Sequence, residues 1–211
     1  MSEENLYRIS NWLTNNASRI AEFSLNEPAS DEQINKLKNS ILKQLPDDFI
    51  NFYKTYNGIN DEENMGNFFY GMLLFSIDDI ISDQEFRISQ SKGNPLILLN
   101  HCDPEIDGTN IYNLNWIGFG SDGSRCSLRL DLSPSGKGTY GQIIFIDGTY
   151  NVGLLIANSM TDLINKFAND LETGMYSLNE EALEDEQHFL ETAQEIDIEN
   201  WHHIERWKKY V

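Results

Sequence analysis

A chain of 211 residues with 40% hydrophobic residues can bury a core without staples, and its two cysteines, Cys102 and Cys126, make no disulfide framework. Its 34 acidic and 15 basic residues leave a formal net charge of −19, which repels nucleic acid and anionic lipid and suits a basic protein partner. The acidic start Met1-Ser2-Glu3-Glu4-Asn5 has no signal-like apolar stretch, and no run of about 18 apolar residues follows, so the expectation is a cytoplasmic protein without a membrane span.

Residues 5–23 read as a helix, with Leu6, Ile9, Leu13 and Ile20 near one face. Pro28-Ala29 breaks that pattern. Ser30-x-x-Gln33 is a capping box, opening a second helix with Ile34, Leu37 and Ile41 at helical spacing. Leu45-Pro46-Asp47-Asp48 starts a third, since proline loses nothing at a first helical position and aspartates favour the dipole there. Phe49, Phe52, Tyr53 and Tyr56 fall on one face, and Asn57-Gly58 stops the helix.

The aromatic run Phe68–Phe75 predicts a strand, Ser76 with Asp78-Asp79 a helix to about Lys92, and Leu96–Leu99 a short buried strand. Residues 100–113 read as a polar, acidic loop. From 114 the pattern changes. Leu114–Phe119, Cys126–Leu132, Gln142–Ile146 and Val152–Ile156 read as strands joined by Gly and Asp turns, an antiparallel meander with the Trp116 ring buried. Ser159-x-x-Asp162 caps a helix through Leu171 that ends at Gly174. In the acidic tail, two short helices carry Leu183, Leu190, Trp201, Ile204 and Trp207, and the two tryptophans argue that it docks on something. The order predicts an α+β fold with a mainly antiparallel or mixed sheet wrapped by helices. The expected division is an N-terminal helical extension (1–29), a core (30–175) and an acidic helical tail packed on it (176–211).

No P-loop, GxGxxG, GxSxG, HExxH or EF-hand loop occurs. His101-Cys102-Asp103 are adjacent, and adjacent residues rarely share a metal; His202 and His203 on a helix point about 100° apart. Cys126 alternates with Leu128 and Leu130 and reads as a small buried hydrophobe. Asp122 and Asp147 each precede glycine and read as turn residues, and Asp131 has no histidine or glutamate beside it. The expectation is therefore no catalytic residue, no cofactor and no metal.

The charge is uneven. Residues 61–111 carry 10 acids and 2 bases, and 170–211 carry 12 and 3, while 112–169 carry 4 of each. The candidate partner-binding residues are the acids Glu62, Glu63, Asp103, Glu105 and Asp107, with Asp122 in the first meander turn. A monomer or weak homodimer is expected.

Four stretches, in this order, resemble the SUKH superfamily over about residues 30–175. They are Leu45-Pro46-Asp47-Asp48-Phe49 running on to Tyr56-Asn57-Gly58; Trp116-Ile117 with Asp122-Gly123 and Leu130-Asp131-Leu132-Ser133-Pro134; Gly138-x-x-Gly141-Gln142-Ile143-Ile144; and the helix Phe167–Gly174. Gly118 stands where the family pattern often has proline, and Ser124-Arg125 replaces its Gly-Asn or Gly-Asp pair. The resemblance implies a Smi/Knr-like α+β fold with no known catalytic activity. It also implies one of two roles. The first is an immunity protein that neutralises a cognate basic toxin, often a nuclease, by direct binding. The alternative is a regulatory or scaffold protein in cell-wall-related signalling.

Overall fold

The structure, a computed structural model, describes residues 3–92, 95–205 and 207. Its early helices follow from their caps. In α2 (Asp31–Ser40) the Ser30 hydroxyl accepts from the Gln33 N–H at 3.2 Å, while Gln33 Oε1 accepts from the Ser30 N–H at 2.9 Å. The same reciprocal pair, Ser76 with Asp79, opens α4 (Ile77–Ser91). In α3 (Asp47–Tyr53) the Asp48 carboxylate accepts from the Thr161 N–H at 2.9 Å, which ties its start to that of α5 (Met160–Glu172). α1 covers Glu3–Asn16 and lies along α5; the chain then makes a π-helical turn at Ile20–Ser24 rather than continuing one helix to residue 23.

The remaining strands and helix are β1 (Leu73–Leu74), β2 (His101–Cys102), β3 (Trp116–Ser121), β4 (Cys126–Asp131), β5 (Gln142–Asp147), β6 (Val152–Ala157), β7 (Tyr176–Leu178), α6 (Glu180–Glu184) and β8 (Leu190–Thr192). Six of the strands form one sheet in the order β1-β3-β4-β5-β6-β2, antiparallel throughout except for β2 beside β6. The fold is thus α+β with a mixed sheet, and 116–157 is the antiparallel meander that the short strands and tight turns imply. Ile117, Phe119, Leu128, Leu130, Ile143 and Phe145 join one buried cluster with α1 to α5. Trp116, Ile144 and Ile146 form a second on the opposite face, under Leu99 and Ile106. The Trp116 ring is fully buried.

Two motif glycines set close approaches. Gly58 has φ +81°, and a Cβ there would stand 2.3 Å from the Ser76 nitrogen; beside it, Asn57 Oδ1 accepts from the Ile77 N–H at 3.0 Å. Gly141 has φ +82°, and its Cβ would stand 2.7 Å from Pro46 Cγ. The Leu-Pro and Gly-Gln motifs are therefore partners across the fold.

Three further predicted elements differ. Phe68–Phe75 is a turn followed by two strand residues. Tyr70 sits at φ 56°, and Phe68 and Phe69 leave the sheet to pack on Phe167 at 4.8 and 5.0 Å. Aromatic density there serves a core node, not a ladder. Leu96–Leu99 makes no strand: Leu96 and Leu98 are 75% and 62% exposed, and pairing begins later at His101–Cys102 beside Val152–Gly153. The tail forms a β7–β8 hairpin around α6 in place of two helices. Leu183 is exposed, whereas Leu190, Trp201, Ile204 and Trp207 enter the main core cluster. No helix among the described residues is long and apolar enough to cross a membrane.

Candidate functional site

Two buried amides fasten the tail to the core. Asn64 Oδ1 accepts from the His188 N–H at 2.7 Å and its Nδ2 donates to the His188 carbonyl at 3.0 Å. Asn67 does the same to Leu190, with both bonds at 2.7 Å. Each amide thereby completes both main-chain bonds of one residue, and the residues alternate as the two-residue strand period requires. Asp147 adds a third tie, accepting from the Trp201 indole N–H at 3.2 Å and from the Thr149 and Tyr150 N–H groups of its own turn.

With the tail held there, a groove of about 440 Å³ opens between the 61–73 segment, the β3–β4 turn, β8 and residues 197–200. Five carboxylates line it: Asp61, Asp122, Glu191, Asp197 and Glu199, with no lysine or arginine among the lining residues. Met65, Leu73 and Phe189 supply apolar surface. Several acids are held in place. Asp122 accepts from the Ser124 and Cys126 N–H groups at 2.9 and 2.8 Å, and Asp197 accepts from the Asn200 N–H and side-chain amide at 3.2 and 2.7 Å. Burial, then the charges of Asp122 and Asp197, push the Glu199 carboxyl up to about 7, against the opposing pull of Arg125. Such a groove can receive cationic side chains, each new partner relieving repulsion already present.

Of the predicted site residues, Asp122 lines the groove, and Glu62 and Glu63 are exposed directly after Asp61. The other three lie elsewhere. Asp103 is 3% exposed, its carboxylate accepting from the Leu155 N–H at 2.7 Å, so it is a β2–β6 anchor and not a surface acid. Glu105 is half-buried, its carbonyl accepting from the Ser135 N–H and the Gln142 amide at 3.0 Å each; Asp107 turns the chain by accepting from the Thr109 N–H at 3.2 Å. The sequence reading missed Asp61, Glu191, Asp197 and Glu199. Segment charge pointed toward them, but their convergence depends on the tail hairpin.

Cys126 is buried and its thiol is pushed up to about 12, chiefly by burial. Asp131 is buried at the β4 end, accepting from the Ser133 N–H at 2.8 Å and the Gln142 amide at 2.9 Å. His202 and His203 do not diverge as an ideal helix would have them: they share a single 3₁₀ turn and their ring centroids lie 4.0 Å apart. No group of three or more His, Cys, Asp or Glu side chains among the described residues could hold a metal ion.

The model of the SMI1 / KNR4 family (SUKH-1) matches residues 28–166. A KNR4/SMI1 homolog from Kluyveromyces lactis is 33% identical over 82 residues, covering 38% of this chain and 15% of that one. KNR4/SMI1 homolog 2 from Debaryomyces hansenii is 21% identical over 212 aligned positions, covering 82% and 36%. Cell wall assembly regulator SMI1 from Saccharomyces cerevisiae is 23% identical over 189, covering 74% and 37%. The matched regions thus span between 15% and 37% of the length of these relatives. The family match takes in the 61–73 and 121–123 walls of the groove and stops short of the 189–200 wall.

Proposed function

The chain belongs to the SMI1/KNR4 family (SUKH-1), and from that premise we propose that it is a protein-binding module acting without catalysis, its acidic groove receiving a basic surface of a partner protein. The observation behind this reading is the meeting of five carboxylates from three distant segments in one concave site. In this reading residues 30–175 form the family core and the 176–211 segment supplies one wall of the groove. Glu62 and Glu63 extend the field at its rim.

The finer form of the reading is immunity. A nucleic-acid-cleaving toxin needs a basic surface for phosphates, and an acidic groove competes for that surface. Regulation is the alternative, supported by the Saccharomyces cerevisiae relative, which is named a cell wall assembly regulator. There the groove would hold a basic segment of another protein in an assembly.

The test begins with crosslinked capture of the partner from the native host. Surface-plasmon measurements across a salt series then compare wild type with the triple variant Asp61→Asn, Glu191→Gln, Asp197→Asn. Association should slow about tenfold or more at low salt, the difference shrinking as salt screens the field. Equal rates at every salt concentration would sink the groove reading. Stoichiometric inhibition of a captured nuclease favours immunity; a captured partner with no toxic activity favours regulation.

A further inference from the structure

The β3–β4 turn borders a second concavity of opposite character. Between α4 and strands β3 and β4 lies a cavity of about 170 Å³ whose lining includes Asp83, Gly118, Ser124, Arg125, Ser127 and Arg129. Ser121 lines both this cavity and the acidic groove.

Arg125 and Arg129 are its basic lining residues and Asp83 its one acidic lining residue, while Arg87 lies behind the lining. Arg129 donates Nε to the Ser127 hydroxyl at 2.9 Å and Nη1 to the distant Ile111 carbonyl at 3.5 Å, while its Nη2 has no hydrogen-bond partner among the described residues. Arg87, buried on α4, spends its guanidinium on the carbonyls of Trp116 and Asn113. Neither arginine forms an ion pair among the described residues. Asp83 is the carboxylate whose charge both feel. Burial, then the neighbouring Arg87 charge, push Arg129 down to about 9. Arg125 is a separate case, facing Asp147 at 3.9 Å.

Among the lining residues one carboxylate therefore stands beside two guanidiniums, a local positive charge in a protein of net −19, with Asp147 facing Arg125 from outside the lining. The free hydrogen-bonding capacity has the same sign. Arg129 Nη2 is a donor, the Ser124 hydroxyl has no partner among the described residues, and the Ser127 hydroxyl, used as an acceptor, keeps its own hydrogen to give. The ligand that answers such a set is negatively charged and rich in acceptors, and guanidinium geometry favours a planar pair of phosphate or carboxylate oxygens. The volume is the share of roughly five or six waters, which admits a five-atom oxyanion and falls below the 300 Å³ or so of a drug-sized pocket. We propose that this cavity is a binding site for a phosphoryl-type tetrahedral oxyanion, held by Arg129 with the Ser124 and Ser127 hydroxyls. This site is independent of the acidic groove and its partner.

The test titrates inorganic phosphate at pH 7 into the full chain, with chloride at matched ionic strength as the reference. It is read by arginine Nε–H NMR signals and by calorimetry. Saturable shifts at Arg129 should appear with a Kd below about 10 mM. Three variants follow. Arg129→Gln should abolish the saturable shift in the calorimetric trace. Arg125→Gln, on a half-exposed side chain, should weaken binding about twofold or more by removing charge beside the site. Gly118→Ala removes no charge, yet its Cβ would stand 2.8 Å from Asp83 Oδ2 and displace that carboxylate; it should change the phosphate Kd about twofold or more in a protein of unchanged circular dichroism. Shifts that never saturate, that chloride reproduces, or that are unaltered in both Arg125→Gln and Gly118→Ala overturn the proposal. O-phosphoserine, titrated in parallel, separates the sources. Binding as tight as that of phosphate points to a phosphorylated side chain, and binding of phosphate alone to a free ion.

Discussion

Glu199 shows how one residue can carry a cost for a site. Its carboxyl is raised from an ordinary 4.5 to about 7 by burial and by Asp122 and Asp197. Below about 4.5 it is protonated in both the folded and the unfolded chain. Between there and about 7 the folded chain holds the extra proton, so stability falls as pH rises, and above about 7 the full cost of the ionised group is present. Glu199→Gln should therefore flatten the stability profile between pH 5 and 7.5. At pH 8 it should raise stability by about 1 kcal/mol, once screening at a half-exposed carboxylate is allowed for. Urea melts at half-unit pH steps measure this, and superimposable profiles for the two proteins would contradict it. The same carboxylate is where a bound cation gains most, because its arrival relieves a repulsion built in beforehand.

Among the elements, the tail hairpin depends on Asn64 and Asn67. Asn67→Ala leaves the Leu190 N–H and carbonyl without their partner, at a cost of about 2 kcal/mol. Hydrogen exchange should then show residues 187–193 losing protection ahead of β4 and β5; uniform loss across the chain would mean that the tail and sheet open as one unit. These two amides also mark the limit of what the sequence discloses. The capped helices and the meander were legible because caps, turns and alternation are local signals, and the motif pairs Leu45-Pro46 and Gly141-Gln142 could be named before their contact was visible. Phe68–Phe75 misled because its aromatics answer to Phe167, nearly a hundred positions away, and Leu96–Leu99 because apolar character alone does not make a ladder. Asn64 and Asn67 look like ordinary polar loop residues until the strand they hold is in place. In the groove, the acids beside Asp61 stand out in the charge map, while Asp122 belongs to a neutral segment and is legible as a turn residue before Gly123. Glu191, Asp197 and Glu199 were not separable from the rest of an acidic tail.

For the molecule as a whole, a net charge of −19 on 211 residues is a self-repulsion that the core must overcome. Raising sodium chloride from about 10 to about 150 mM should raise the melting temperature by several degrees, as the screening length falls from about 30 to about 8 Å. A flat response would indicate that the acids are compensated locally. The architecture also has a consequence in time. The amides of Asn64 and Asn67 precede the residues they grip by 124 and 123 positions. At a synthesis rate of about 5–20 residues per second, the ribosome makes the grip roughly 6–25 s before it makes the strand. For that interval the nascent chain shows the apolar surface that Leu190, Trp201, Ile204 and Trp207 will later cover. The arrival of the tail thus decides how long the newborn core remains a client for chaperones.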